Sequence, residues 1–270
     1  MARRTQDPLR PRTRWLGLGL VGLASLACLG STVTASARSY RIAHVAIEAA
    51  LAGDGSLEVR ESRTYEFEGS FHYAYRVLPT RHGESYESIR VSEPGTAYRL
   101  AESGEPGTYR VTPRADGSEV RWFFRAHGAS TFEIDYRVKP VAERHADAAV
   151  FYFQFIGSDW DVSSHDVEVH LRPPAPVARD SVRAWLHGPL WGEIAIELDG
   201  GLTARSVQVP PHVAFEIRAL YPPAILSEAP LAAGAVRGSV MQEEGRWADE
   251  ANRQRAEARI QLAELSLIHI

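Results

Sequence analysis

The chain of 270 residues contains one cysteine, Cys28, one lysine, Lys139, and two methionines. A single cysteine excludes an internal disulfide and a thiolate zinc site. If the N-terminal segment is removed, no thiol nucleophile is left either. Arginine supplies nearly all of the 30 basic residues, a bias of base composition that carries no recognition argument. Helical periodicity is also scarce: between Tyr40 and Pro222 no apolar repeat of 3.6 residues lasts beyond two turns. Catalytic spacings are missing as well. There is no G-x-S-x-G elbow, and the ten histidines show neither HxH nor HxxxH spacing. These absences argue against an enzyme and against a bound cofactor.

What is present at the N-terminus is a processing signal. Arg3, Arg4, Arg10, Arg12 and Arg14 stand against Asp7 alone, an apolar run covers residues 15–30, and Ala35-Ser36-Ala37 has the small-x-small form of a cleavage site. Residues 1–37 are therefore expected to be a signal peptide cleaved after Ala37, the alternative being an uncleaved anchor. Ser25, three places before Cys28, is not the apolar residue a lipoprotein signal wants. Cleavage removes five arginines and one aspartate, a net +4, and moves the formal charge from −4 to −8. Such a domain disfavours non-specific contact with nucleic acid or anionic lipid. The expectation is an exported chain with no nucleic-acid partner.

The body of the chain reads as strand after strand. Val45, Ile47, Ala49 and Leu51 alternate with His44, Ala46, Glu48 and Ala50. Gly53-Asp54-Gly55-Ser56 supplies a turn, and Leu57, Val59, Tyr65 and Phe67 return on odd positions. Glu61 and Arg63 share that odd face, so it must reach solvent or pair internally midway. Gly69-Ser70 is expected to break the strand before Phe71, Tyr73 and Tyr75 alternate into a third one that Pro79 closes. Further strands are predicted at 108–111, 119–125, 132–138, 150–156, 167–171, 194–198, 204–209 and 213–220. The expected architecture is an all-β, sandwich-like domain over 39–224, either one large unit or two packed lobes divided near 173–176. From residue 227 to 265 the composition turns to Ala, Glu, Arg and Gln, a charged helix with a sparse stripe of Trp247, Ala251, Leu262 and Leu265. A solvated or juxtamembrane helix fits that stripe. Residues 265–270 read as the translation of a common sequencing adapter. We therefore expect the protein to continue past Glu264 into a transmembrane region.

Asp54-Gly55, Glu61, Tyr65, Phe67 and Gly69, followed by Tyr75, Arg76 and Pro79, form an ordered pattern. A strand at 132–136, Ile156-Gly157 with Trp160, and His187-Gly188-Pro189 continue it. In that order these residues resemble the signature of a bacterial predicted membrane-protein family, domain of unknown function 2207. The resemblance implies an exported β domain tethered to a membrane, and it carries no catalytic residue because the family has no established activity.

Two groups of residues could carry chemistry. Asp159, Asp161, His165 and Asp166 offer carboxylates and an imidazole within one loop, candidates for a metal site or acid–base work. The EF-hand glycine and terminal glutamate are missing, and the same residues would serve to cap strand ends. Trp185 and Trp191 flank His187-Gly188-Pro189 and are candidate ligand contacts, while the other aromatics, Tyr65, Phe67, Tyr73 and Tyr75 among them, could line a sugar-binding face but at alternating positions read as core. The expected role is non-enzymatic binding of protein or ligand in the cell envelope. Alternatives are a carbohydrate- or peptidoglycan-binding module and a metal-dependent hydrolase.

Overall fold

The computed structural model describes residues 38–80 and 83–268; the signal expected at 1–37, with Cys28, lies outside the described residues. The strands are β1 (Ser39–Leu51), β2 (Leu57–Pro79), β3 (Ser85–Glu93), β4 (Thr96–Ala97), β5 (Arg99–Leu100), β6 (Thr108–Arg114) and β7 (Gly117–Lys139). They continue with β8 (Ala142–Arg144), β9 (Ala149–Ile156), β10 (Ser164–Arg172), β11 (Arg183–His187), β12 (Glu193–Ile196), β13 (Leu202–Val209) and β14 (Phe215–Tyr221). One helix, α1 (Arg237–Ile268), follows.

The larger sheet runs β12-β13-β10-β1-β2-β7-β3-β4, with β6 also on β7, and the smaller runs β11-β14-β9-β8. Pairing is antiparallel except for β1 with β10 and β5 with β6. Both sheets take strands from either side of residues 173–176: β10 pairs β13, and β9 pairs β14. Inward side chains of the two sheets, among them Val45, Ile47, Phe132, Phe155, Val169 and Phe215, belong to one continuous apolar cluster.

The turn between β1 and β2 shows why glycine is needed. Gly55 adopts φ +82, and a Cβ there would lie 2.6 Å from the Ala142 carbonyl oxygen. Its own carbonyl accepts from the amides of Val141 and Ala142 at 3.1 and 3.2 Å, which ties the hairpin to the start of β8.

Where the pattern at Gly69-Ser70 suggests a break, β2 continues through a bulge as a single strand of 23 residues. The runs at 119–125 and 132–138 are likewise one strand, β7, and the two long strands pair along their length. Register shifts between Phe67, Phe71 and Tyr73 leave a net offset of one residue. Gly69 carries the turn of the backbone at φ +83, and a Cβ would come within 3.0 Å of the Arg38 side chain. An offset of one exchanges the faces of a strand. Odd residues from Leu57 to Phe67 are buried, whereas beyond the bulge Arg76 and Leu78 point inward. Tyr73 and Tyr75, which periodicity assigns to the core, are instead 49% and 52% exposed.

α1 also departs from expectation, because its first half is docked. Val240 packs with Ala148 and Leu220, against which Val236 and Trp185 also rest. Asp147 accepts from the amides of Val236 (2.8 Å) and Arg237 (3.1 Å), capping the helix start from the β8–β9 turn. Glu244 is fully buried and bridges to Arg218 of β14 at 3.0 Å, beside Glu243 at 2.7 Å. Among the described residues no helix is long and apolar enough to cross a membrane.

Candidate functional site

The bulge creates an aromatic cleft, separate from a wider groove of about 1540 Å³ between β11, β12 and α1 that Trp185 and Trp191 line. A cavity of about 380 Å³ is lined by Arg38 just before β1, Tyr40 of β1, the bulged stretch of β2 from Tyr65 to Val77, and Asp159, Trp160 and Asp161 of the β9–β10 loop. Its volume lies in the range of small-molecule sites.

Its wall is aromatic. Tyr40 stands 6.0, 6.4 and 6.1 Å from the ring centroids of Tyr65, Phe67 and Phe71. Tyr65 and Phe67 stack at 5.6 Å, and Phe67 continues the cluster inward to Phe124. The exposed pair Tyr73 and Tyr75 is held by Arg121, whose guanidinium lies 5.0 and 5.7 Å from their centroids. Burial first, then the neighbouring Tyr75 and Asp161, push the Tyr40 phenol above its usual pKa. Its hydroxyl, neutral at physiological pH like any phenol, is a donor on the cleft wall.

Beneath the cleft lies a charged cluster. Glu61, Arg63 and Arg76 are all buried, and the Nε–H groups of both arginines donate to Glu61 Oε1, that of Arg76 at 3.2 Å. Arg76 also donates to the carbonyls of Val77 (2.9 Å) and Phe155 (3.3 Å), linking β2 to β9 across the two sheets. One carboxylate thus serves two guanidinium groups, and the floor carries one net positive charge. The Trp160 ring covers that charge, 4.8 Å from Arg63 and 5.8 Å from Arg76. Burial alone would raise the Glu61 carboxyl; the charges of Arg63 and Arg76 more than reverse this and hold it below the ordinary range. The odd-face charges at Glu61 and Arg63 are therefore paired internally, and the bulge brings Arg76 to them.

The loop carrying Trp160 is fixed by His212. The His212 amide donates to the Trp160 carbonyl at 3.0 Å, its Nδ1–H donates to the Ser158 carbonyl at 3.3 Å, and Nε2 lies 3.8 Å from Asp161. His212 adopts φ +60, a conformation costly for a side chain with a Cβ.

The residues singled out from the sequence fall in several places. Asp159 and Asp161 line the cleft. His165 and Asp166 belong to β10, where Asp166 meets His44 Nδ1 at 2.7 Å and His165 stands opposite Gln208. Among the described residues no three His, Cys, Asp or Glu side chains gather as a metal-holding group. Trp185 rests on the small cluster of Ala148, Leu220 and Val240, and Trp191 lies 5.6 Å from the Arg259 guanidinium of α1. The strand pattern read Tyr73 and Tyr75 as alternating core aromatics and did not single out Tyr40 or Arg76 as site residues. The signal that places Tyr73, Tyr75 and Arg76 is the Gly-Ser pair, read as a face-exchanging bulge.

No curated protein matches the chain. Among solved structures, leukotriene A4 hydrolase from Saccharomyces cerevisiae matches at 10% identity over 67% of this chain and 29% of that one, with a TM-score of 0.43. An M1 zinc metallopeptidase from Deinococcus radiodurans matches at 13% identity over 67% of this chain and 42% of that one, with a TM-score of 0.36. The chain thus spans less than half the length of either, and likenesses this distant carry no reading of activity. A family model described as the N-terminal domain of a predicted membrane protein (DUF2207) matches residues 41–221. Those residues hold both sheets and every side chain of the cleft except Arg38 and Tyr40, and the chain belongs to that family.

Proposed function

We propose that this chain is a non-enzymatic binding domain, a sandwich-like β scaffold exported to the extracytoplasmic side of a membrane-anchored envelope protein, with the aromatic cleft as its binding site. Its partners are envelope proteins or glycans. The basic N-terminal stretch followed by an apolar run supports export. Membership of a predicted membrane-protein family supports the tether.

The observation that carries the binding reading is the exposure of Tyr40, Tyr73 and Tyr75, at 39%, 49% and 52%, around one cleft. Half-exposed tyrosines held by a cation and by ring packing offer contact area at low entropic cost. The test is saturable binding of the purified chain to isolated cell-envelope fractions. Tyr75→Ala is expected to weaken that binding at least tenfold, with no soluble fragment released from the envelope. Release of soluble fragments that stops in Asp159→Asn would overturn the non-enzymatic reading in favour of a hydrolase.

A further inference from the structure

From the composition of the cleft we infer that its ligand is a neutral pyranose sugar of an envelope glycan; this rests on the cleft being the binding site. At the rim, Arg38 lines the cleft with a guanidinium and His72 with an imidazole, and Asp159 and Asp161 line it with carboxylates. An anion meets the two carboxylates, and a cation meets the arginine and the charged floor behind Trp160, so neither sign is favoured. A neutral ligand with many hydroxyls fits both. Its O–H groups donate to carboxylates, and its oxygens accept from guanidinium, imidazole and phenol groups.

The wall adds the second requirement. Sugar rings present a flat face of C–H groups, which packs on an aromatic ring while the equatorial hydroxyls point outward to polar partners. Tyr40, Phe71, Tyr73, Tyr75 and Trp160 supply such rings within one cavity, and three of them carry a hydroxyl at the edge. The Tyr40 hydroxyl donates to an acceptor that a purely apolar ligand would lack. An aliphatic or phenyl side chain would leave these polar groups facing it unpaired, at a cost in affinity. A cavity of about 380 Å³ accommodates one to two sugar rings.

The cleft is also preorganised. His212 holds the Asp159–Asp161 loop by bonds to the Ser158 and Trp160 carbonyls, and Arg121 holds Tyr73 and Tyr75. Little ordering is left for the ligand to impose.

The test uses the full 270-residue chain in a detergent without a sugar headgroup. Calorimetry and saturation-transfer NMR are run with neutral trisaccharides of glucose, galactose and N-acetylglucosamine. Benzyltrimethylammonium, phenylphosphonate and a neutral phenylalanine-containing peptide are run beside them. At least one trisaccharide is expected to bind. Tyr75→Ala should weaken it at least tenfold, and Tyr40→Phe about fivefold, the loss of one neutral hydrogen bond. Trp191→Ala, outside the cleft, should leave it unchanged. An unaltered unfolding midpoint for Tyr75→Ala, a half-exposed position, separates lost binding from lost fold. Binding of a charged probe or the peptide in a Tyr75-dependent way, with all trisaccharides silent, would overturn the sugar inference and keep the cleft as the site. If no binding responds to Tyr75→Ala, the sugar inference and the cleft reading fall together.

Discussion

Glu61 and Arg63 show how much a single residue's surroundings decide. Both are buried on a face otherwise built of Val59, Tyr65 and Phe67, where an unpaired charge would be several kcal/mol out of place. They are tolerated because Arg76 arrives on the same face, satisfying the second lone pair of Glu61 Oε1 and fixing a ratio of two cations to one anion. That ratio makes the two deletions unequal. Glu61→Gln leaves two buried guanidinium groups without a counter-charge and is expected to cost about 3–5 kcal/mol. Arg63→Met leaves a balanced Glu61–Arg76 pair and should cost less than about 2 kcal/mol. Urea unfolding of the two variants checks the order, and equal losses would refute the shared-carboxylate account. The same carboxyl sets a pH dependence. Because its folded pKa is depressed, the unfolded chain binds the extra proton, so the contribution is complete at neutral pH. It drains as pH falls from about 4.3, the ordinary glutamate value, toward the lower folded one. Glu61→Gln should therefore show a shallower acid limb than the wild-type chain. The rest of the slope remains with Asp54, Asp147 and Glu168, whose carboxyls are also held low by hydrogen bonds and neighbouring arginines or a histidine.

At the scale of elements, most long strands were legible, but β3, β8 and β11 were not, and neither was strand continuity. Alternation found the stretches that became β1, β2, β7, β9, β10, β13 and β14, because burying one face of a strand leaves a period-two trace. It failed at Gly69-Ser70, since a break and a bulge use the same residues. The consequence was large: a one-residue offset moved Tyr73 and Tyr75 out of the core and Arg76 into it. The cleft, assembled from residues as distant as Tyr40 and Asp161, leaves no local pattern at all. α1 was legible as a helix, and its exposed second half as solvated, but the docking of its first half was not, for a physical reason. It is held less by an apolar stripe than by Asp147 at its start, the Arg218 bridges to Glu243 and Glu244, and Arg255 donating to the Leu190 carbonyl at 2.7 Å. Hydrophobic periodicity does not register such contacts. Arg218→Ala would leave the buried Glu244 without its guanidinium partner, with the His187 imidazole 3.2 Å away. The expected outcome is local: amides of α1 should exchange at least tenfold faster, while those of β1, β2 and β7 keep wild-type protection. Hydrogen exchange read by mass spectrometry decides it, and uniform loss of protection across the β strands would show that α1 belongs to the global folding unit.

For the whole molecule, the order of strands matters more than their number. β1 enters the middle of the larger sheet between β2, its neighbour in sequence, and β10, more than a hundred residues later. The smaller sheet closes only when β14 slides between β9 and β11. Such long-range pairing must form against a high entropy of loop closure, and the two halves of the chain, which share both sheets, are expected to fold together. Residues 173–176, whose prolines could separate a pair of lobes, therefore mark a connection inside that structure. The consequence can be weighed. Residues beyond this point contribute fully buried Leu202, Phe215, Ile217, Leu220, Tyr221 and Leu226. At about 1.5–3 kcal/mol for each buried side chain, their loss is comparable to the typical net stability of about 5–15 kcal/mol for a whole domain. A fragment of residues 38–172 should thus fail to fold, exposing the edges of β9 and β10 that β14 and β13 cover, and should aggregate through them. A fragment of residues 177–268 should be equally unfolded alone. Mixed during refolding, the two should recover a single cooperative thermal transition and the dispersed NMR spectrum of the intact chain. Cooperative melting of the 38–172 fragment by itself would show instead that the first ten strands form a self-sufficient lobe, with the later strands docked onto a structure that does not need them.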